Sequence, residues 1–179
     1  MLVGELVQLR AIERGDLGDL LAWRNAPELR RFFRERYELG MEDQLAWFER
    51  VVEQRGRPRD TVMLAIERRD TSELVGACGL CNVDWISGTA ELSIYIGARM
   101  AYVDSELAPD ACSVLMRHAF DDLNLRKLWV EVYCFDARKT ALFEGLGFTL
   151  EGTLRGHRFH AGVYHDALML GLLREERRE

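Results

Sequence analysis

Apolar and polar positions change period several times along the chain, and each change marks an element. Residues 4–12 (GELVQLRAI) alternate as a half-buried strand does. Asp16 then caps a helix whose apolar positions Leu17, Leu20, Leu21 and Trp23 recur at helical spacing. A second helix begins near Glu42 with Leu45, Phe48, Val51 and Val52 on one face, and Gly56-Arg57-Pro58 ends it. The basic, aromatic segment between them, RRFFRERYELG, fits a helix or a loop. Residues 61–68 and Leu74–Asp84 read as strands joined by the turn Asp70-Thr71-Ser72-Glu73, and Ser87-Gly88-Thr89 leads into a strand over 90–96.

The next stretch carries the strongest signal. A helix over 107–123 buries Leu107, Ala111, Val114, Leu115 and Ala119, and a strand over 127–135 is apolar at most positions. Asp136 or Ala137 opens a helix that closes at Gly145-Leu146-Gly147. Residues 148–157 and 164–173 then form a hairpin through His160-Ala161-Gly162. This order predicts one α+β domain over residues 1–179 with a mostly antiparallel sheet. It also sets a helix N-terminus at the end of a strand, where unpaired backbone N–H groups can hold an anion. The loop at that point reads Val103-Asp104-Ser105-Glu106-Leu107-Ala108, with two carboxylates and no glycine.

A chain that is 48% hydrophobic and 30% charged reads as globular. The net charge of -6 supplies no basic field to gather nucleic acid or anionic lipid, although Arg55/Arg57/Arg59 and Arg68/Arg69 form local basic clusters. No apolar run approaches the roughly 20 residues of a membrane helix. Charged residues follow Met1 closely, without the pattern of a signal peptide, so the expected compartment is the cytoplasm. Cys78 and Cys81 lie three apart in a strand-like run and face opposite ways, which argues for buried thiols rather than a metal or redox pair. His157 and His160 fail as a metal pair on the same ground, and no metal is expected.

Several short pieces recur in a familiar order: QLRAIE (8–13), WRN (23–25), GACGL (76–80), AEL (90–92), HAF (118–120), LRK (125–127), FEGLGF (143–148), EGTLR (151–155) and YHD (164–166). In this order and spacing the chain resembles the GNAT acyltransferase superfamily over nearly its full length, with the look of ribosomal-protein alanine, spermidine and amino-sugar acetyltransferases. The resemblance implies a mixed, mostly antiparallel central sheet with two splayed strands and helices on both faces. It implies transfer of an acetyl or other acyl group from a CoA thioester to a primary amine of a small molecule or a peptide N-terminus. A homodimer is an expectation of the same analogy.

The resemblance also assigns residues. Acyl-CoA lies in a V between the strands at 91–96 and 127–135, against the backbone of Ile94, Tyr95 and Ile96. Its pyrophosphate lies on the helix N-terminus at Val103, Ser105, Leu107 and Ala108. An anion held by several N–H groups needs a path clear of side chains, hence the family's glycines. Here the family's Arg or Gln and its two glycines match Val103, Glu106 and Ala108. Losing two charge-assisted hydrogen bonds of about 1.5–3 kcal/mol each weakens binding roughly a hundred- to ten-thousand-fold. Asp104 and Glu106 have a second role open to them, capping the helix and favouring its dipole. Asp136 matches an asparagine that touches the pantetheine arm, and Phe143 matches a tyrosine that protonates the leaving thiolate. A donor carried on a protein or a tRNA, or a silent binding domain, would make these groups dispensable.

Acyl transfer to an amine needs a base, oxyanion donors and an acid. Glu91, on the strand bordering the cleft, is the candidate base, acting through water. Backbone N–H groups near Ile94–Ile96 are the candidate oxyanion donors. Tyr133 and Cys134 are candidate replacement acids, Cys134 also a candidate acyl carrier, and Tyr102 a further stand-in. Acceptor contacts are expected from Arg24, Asn25, Arg30, Trp47, Arg158 and His160.

Overall fold

Val7 and Leu9 are buried while Gln8 and Arg10 project to the other face, where Arg10 Nε donates to Glu67 at 2.6 Å. The period-2 pattern thus fixes which side of the first long strand meets the core. The computed structural model describes residues 1–35, 37–53 and 60–177; Gly56-Arg57-Pro58 and the cluster Arg55/Arg57/Arg59 lie outside them. The strands are β1 (Leu2–Val3), β2 (Val7–Ala11), β3 (Val62–Arg68), β4 (Leu74–Asp84), β5 (Thr89–Ile96), β6 (Lys127–Tyr133), β7 (Thr149–His160) and β8 (Val163–Leu173). The helices are α1 (Leu17–Asn25), α2 (Pro27–Arg30), α3 (Met41–Val51), α4 (Leu107–Arg117) and α5 (Ala137–Gly145). Among the described residues the strands form one sheet in the order β1-β2-β3-β4-β5-β6-β8-β7. Every pair is antiparallel except β5–β6, which α4 connects.

The parallel pair is short. It joins Thr89 to Lys127, Ala90 to Leu128 and Glu91 to Trp129, and then stops, although β5 runs on to Ile96 and β6 to Tyr133. The backbone of Tyr102 takes the far end of β5 instead, exchanging bonds with Ile96 at 2.8 Å in both directions. The loop that brings it there places Arg99, Met100 and Tyr102 in the left-handed region, which disfavours side chains. The sheet therefore splays at its centre, and the two strands leave a V-shaped gap.

Several sequence expectations shift in detail. The helix expected over 107–123 is α-helical only to Arg117 and continues as a π-helical turn over His118–Asp122. There Arg174 Nη2 bonds the Phe120 carbonyl, and its Nε donates to Leu125 O at 3.0 Å, giving the loosened turn outside partners. Asp16 does not cap α1 with its side chain. Its carboxylate accepts the Glu13 N–H at 2.8 Å and two bonds from Arg10, closing a 3₁₀ turn ahead of the helix. The segment left open between helix and loop holds the four-residue α2 and then irregular chain. β6 ends at Tyr133, and β7 runs to His160 by absorbing bulges at Leu150/Gly152 and Leu154/Arg158. Trp23 packs so closely on Gly97 that a Cβ there would lie 2.0 Å from its ring, which leaves only glycine at the end of β5.

Candidate active site

Glu91 is the last residue of β5 that pairs with β6, so its side chain stands where the sheet begins to part. It is 5% exposed. Both of its carboxylate oxygens accept from the Arg34 guanidinium, one of them at 3.2 Å, and Asn82 Nδ2 donates to Oε2 at 2.9 Å. Asn82 reaches it because β4 is irregular between Cys81 and Asp84, with Asn82 in the left-handed region. Glu131 stands close by on β6. Arg158 grips it through Nε and Nη2, the latter at 2.6 Å, and Arg34 Nη2 lies 3.7 Å away. Burial opposes ionisation of Glu131, but the Arg158 bond and the nearby guanidinium charges outweigh it and hold the carboxyl below its usual range. Burial likewise opposes the Arg34 charge, and its bonds to Glu91 win, so its pKa is raised.

These groups border a cavity of about 240 Å³ in the mouth of the V. Leu92–Ile94, Val130–Tyr133 and Lys139 line it, as do Arg24, Trp47 and the run Phe32–Glu35. The Ile96 N–H is spent on Tyr102 O, so it is not the oxyanion donor expected of it. Strand alternation turns the N–H groups of Leu92 and Ile94 toward β6 and that of Tyr95 toward β4; the Glu91–Trp129 pairing takes the Leu92 N–H, and Ile94 is the first whose N–H faces the gap. Tyr102 is fully buried on the far side. Its hydroxyl donates to Asp136 Oδ2, and its ring stacks on Phe32 at 4.1 Å. Burial, and then the Asp136 charge, push the Tyr102 phenol far up. Asp136 also caps α5, accepting the Lys139 N–H at 3.1 Å. Burial lowers the Lys139 pKa, against the pull of Asp136.

At the N-terminus of α4 the chain supplies its own anion. Asp104 Oδ1 accepts the Glu106 N–H at 3.0 Å and the Ala108 N–H at 2.9 Å.

A family model described as an acetyltransferase (GNAT) domain matches residues 7–149. The chain belongs to the GNAT acetyltransferases. It is 29% identical over 108 residues to an uncharacterised N-acetyltransferase, p20, of Bacillus licheniformis, a match covering 60% of this chain and 60% of that relative. The chain thus spans less than two thirds of that relative's length. It is also 29% identical over 171 residues to the spermidine N(1)-acetyltransferase of Escherichia coli, covering 95% of this chain and 87% of the relative. A solved structure of the spermidine N-acetyltransferase of Vibrio cholerae, in complex with CoA and spermine, superposes with a TM-score of 0.85 at 23% identity, over 96% of this chain and 97% of that one. That likeness is one of fold.

The two places where the sequence led one to expect an acyl-CoA differ in fit. The gap between β5 and β6 offers an unpaired strand edge and room for an acyl-bearing arm. The α4 N-terminus does not offer the Glu106 and Ala108 amides, because Asp104 already holds them. Val103 and Ala108 are buried, Leu107 is half-buried, and Ser105 is exposed. Phe143 is fully buried against Phe148, with ring centroids 5.1 Å apart.

Of the candidate catalytic groups, Glu91 and Tyr133 border the cavity, and the Tyr133 hydroxyl donates to Phe33 O at 3.5 Å. Cys134 is exposed and does not line the cavity; its N–H extends the β6–β8 pairing by a bond to Asp166 O. Among the candidate acceptor contacts, Arg24 and Trp47 line the cavity and Arg158 reaches it through Glu131. Asn25 instead ties Leu39 down by two bonds, at 2.8 and 2.9 Å. Arg30 pairs with Glu38 beside a shallow surface groove. His160 sits among Tyr133, Phe135 and His165. Arg34, Asn82, Glu131 and Lys139 were not among the sequence candidates. Arg34 lay in the segment of undecided structure, and Asn82 and Glu131 depend on pairings across the sheet.

Proposed function

We propose that this GNAT acetyltransferase transfers the acetyl group of acetyl-CoA to a primary amine of a small molecule, with Glu91 as the base. The observation that carries the reading is the buried Glu91 carboxylate at the point where β5 and β6 part. The similarity to the Escherichia coli spermidine N(1)-acetyltransferase along 95% of the chain supports a small-molecule amine as acceptor.

Acetyl-CoA supplies the thioester carbonyl. The Ile94 N–H, beyond the last β5–β6 pairing, faces the gap and is placed to donate to an oxygen held there. An acceptor amine arrives protonated and must lose a proton to become a nucleophile, which Glu91 accepts directly or through water. Phe143 cannot return a proton to the leaving sulfur, and the Tyr133 hydroxyl is the phenol bordering the cavity at β6 that takes this role. Arg24, Trp47 and the Glu131–Arg158 pair form the acceptor side.

The test is acetyl transfer by the purified protein from acetyl-CoA to a panel of diamines, amino sugars and peptide N-termini, read as thiol release. A small diamine should be the best acceptor, and Glu91→Gln should lower kcat by roughly a hundredfold or more. An unchanged kcat in that variant removes Glu91 from the mechanism, and preference for a peptide moves the acceptor class.

A further inference from the structure

We infer that Arg34 determines acceptor specificity, an internal cation that holds Glu91 while the site is empty and yields it only to an incoming ammonium. The inference rests on the reading of Glu91 as the base of an amine acetyltransferase and adds how the acceptor reaches it. With both oxygens bonded to one guanidinium and Oε2 also to Asn82, Glu91 has no oxygen clear of a donor. Protonating that carboxylate with Arg34 still in place would strip a guanidinium of its counter-charge, so Glu91 acts as a base only when Arg34 moves.

The geometry allows that movement in one direction only. The Glu91 side chain is 7% exposed and fixed to a central strand, whereas the Arg34 side chain is 44% exposed at the rim. A guanidinium with open access to water can swing outward at small cost; a buried carboxylate cannot follow it. Arg34 follows α2 just beyond two turn bonds, Phe32 N–H to Leu29 O at 2.9 Å and Phe33 N–H to Arg30 O at 3.0 Å, and lies outside any helix or strand. Its neighbours are held by side-chain contacts around the cavity: Phe32 stacks on Tyr102, Phe33 O accepts from Tyr133, and Glu35 pairs with Arg24 at 2.6 Å.

Charge balance then selects the acceptor. Glu91 and Glu131 face Arg34 and Arg158, two charges of each sign. Withdrawal of Arg34 leaves one buried negative charge in excess, which an ammonium restores to balance. An acceptor carrying a carboxylate near its amine restores none of it, because a buried unpaired charge is strongly disfavoured. Arg34 thus acts as a built-in competitor, and the apparent affinity for an amine is reduced by the fraction of molecules in which Arg34 has already left.

Calorimetric titration of the full chain with diaminobutane, without any acyl donor, tests this. Arg34→Ala and Arg34→Gln should each bind roughly tenfold or more tightly than the parent, with Arg34→Lys in between. Aminobutanoate should show no such gain. Equal or weaker binding of diaminobutane in both variants, or no binding to any of the proteins, overturns the inference. Thermal melts of each variant confirm that folded protein is compared. Acetyl transfer is read separately: the expected binding gain without transfer by any variant sinks the proposed activity alone. Transfer without the binding gain sinks the role of Arg34 alone.

Discussion

Asp104 closes the first turn of α4 by accepting the Ala108 N–H at 2.9 Å, four residues along the chain. The same oxygen takes the Glu106 N–H, so one carboxylate occupies two donors that a pyrophosphate would need. Asp104→Ala should therefore have opposite effects on stability and on binding. Loss of the cap costs about 1 kcal/mol in denaturant unfolding. Release of two N–H groups and removal of a like charge should tighten acetyl-CoA binding by about tenfold or more in calorimetry. Unchanged or weaker binding would mean that the pyrophosphate does not lie over α4.

Tyr102 and Asp136 tie the loop before α4 to the start of α5 across the gap. Tyr102→Phe keeps the ring on Phe32 but leaves a buried carboxylate short of one donor. A loss of about 1–3 kcal/mol in urea unfolding is expected. Combining it with Asp136→Asn, which removes the stranded charge, should recover part of that loss; strict additivity would show that the two side chains do not interact.

Acid should unfold the protein through three paired carboxyls. Asp16 is opposed by burial, yet its bonds from Arg10 and the Glu13 N–H hold it below its usual value of 3.8; Arg10 and then Gln8 do the same for Glu67, and Glu131 behaves like Asp16. Each binds a proton more readily in the unfolded chain, so their contribution is complete only well above the usual values of 3.8 and 4.5 and falls away from about pH 5 downward, through the lower, folded values. Arg10→Met should flatten unfolding free energy against pH in that acid window and leave the profile between pH 6 and 8 parallel to the parent's.

Lys139 has the same sign of linkage in a higher pH interval, but its lowered pKa means that the charged group destabilises the fold at neutral pH. Its folded pKa lies below the usual 10.5, so the unfolded chain holds more protons in the interval between the two values, and stability rises with pH across it. Lys139→Met removes a confined ammonium and should raise Tm at pH 7 by about 2–4 °C. A lower Tm would show that the Asp136 charge outweighs the confinement.

Local chemistry made much of this protein legible in its sequence. Leu74–Asp84 and the hairpin around Gly162 follow from alternation and turn residues, which act over neighbouring positions. Glu91 was legible as well, because it lies on a strand whose position in the order of elements marks the cleft. Asp104 could be read as a cap from its place ahead of a helix. Arg34 could not be found this way: RRFFR carries no decisive period, and its partner is 57 residues away. Ile96 was expected to leave its N–H free, and the turn that brings Tyr102 against it carries no glycine at its left-handed positions Arg99, Met100 and Tyr102 to announce it.

Periodicity and capping are short-range properties that survive in one dimension, so most elements, their order and the family could be read from the residues alone. The residues also determined that the α4 loop carries carboxylates where an anion site needs bare amides. Where the sheet opens, which amide faces the gap, and that Arg34 rests on Glu91 emerge in three dimensions alone. Those depend on register between distant strands and on the placement of irregular chain, where a shift of one residue would turn the same side chains to opposite faces.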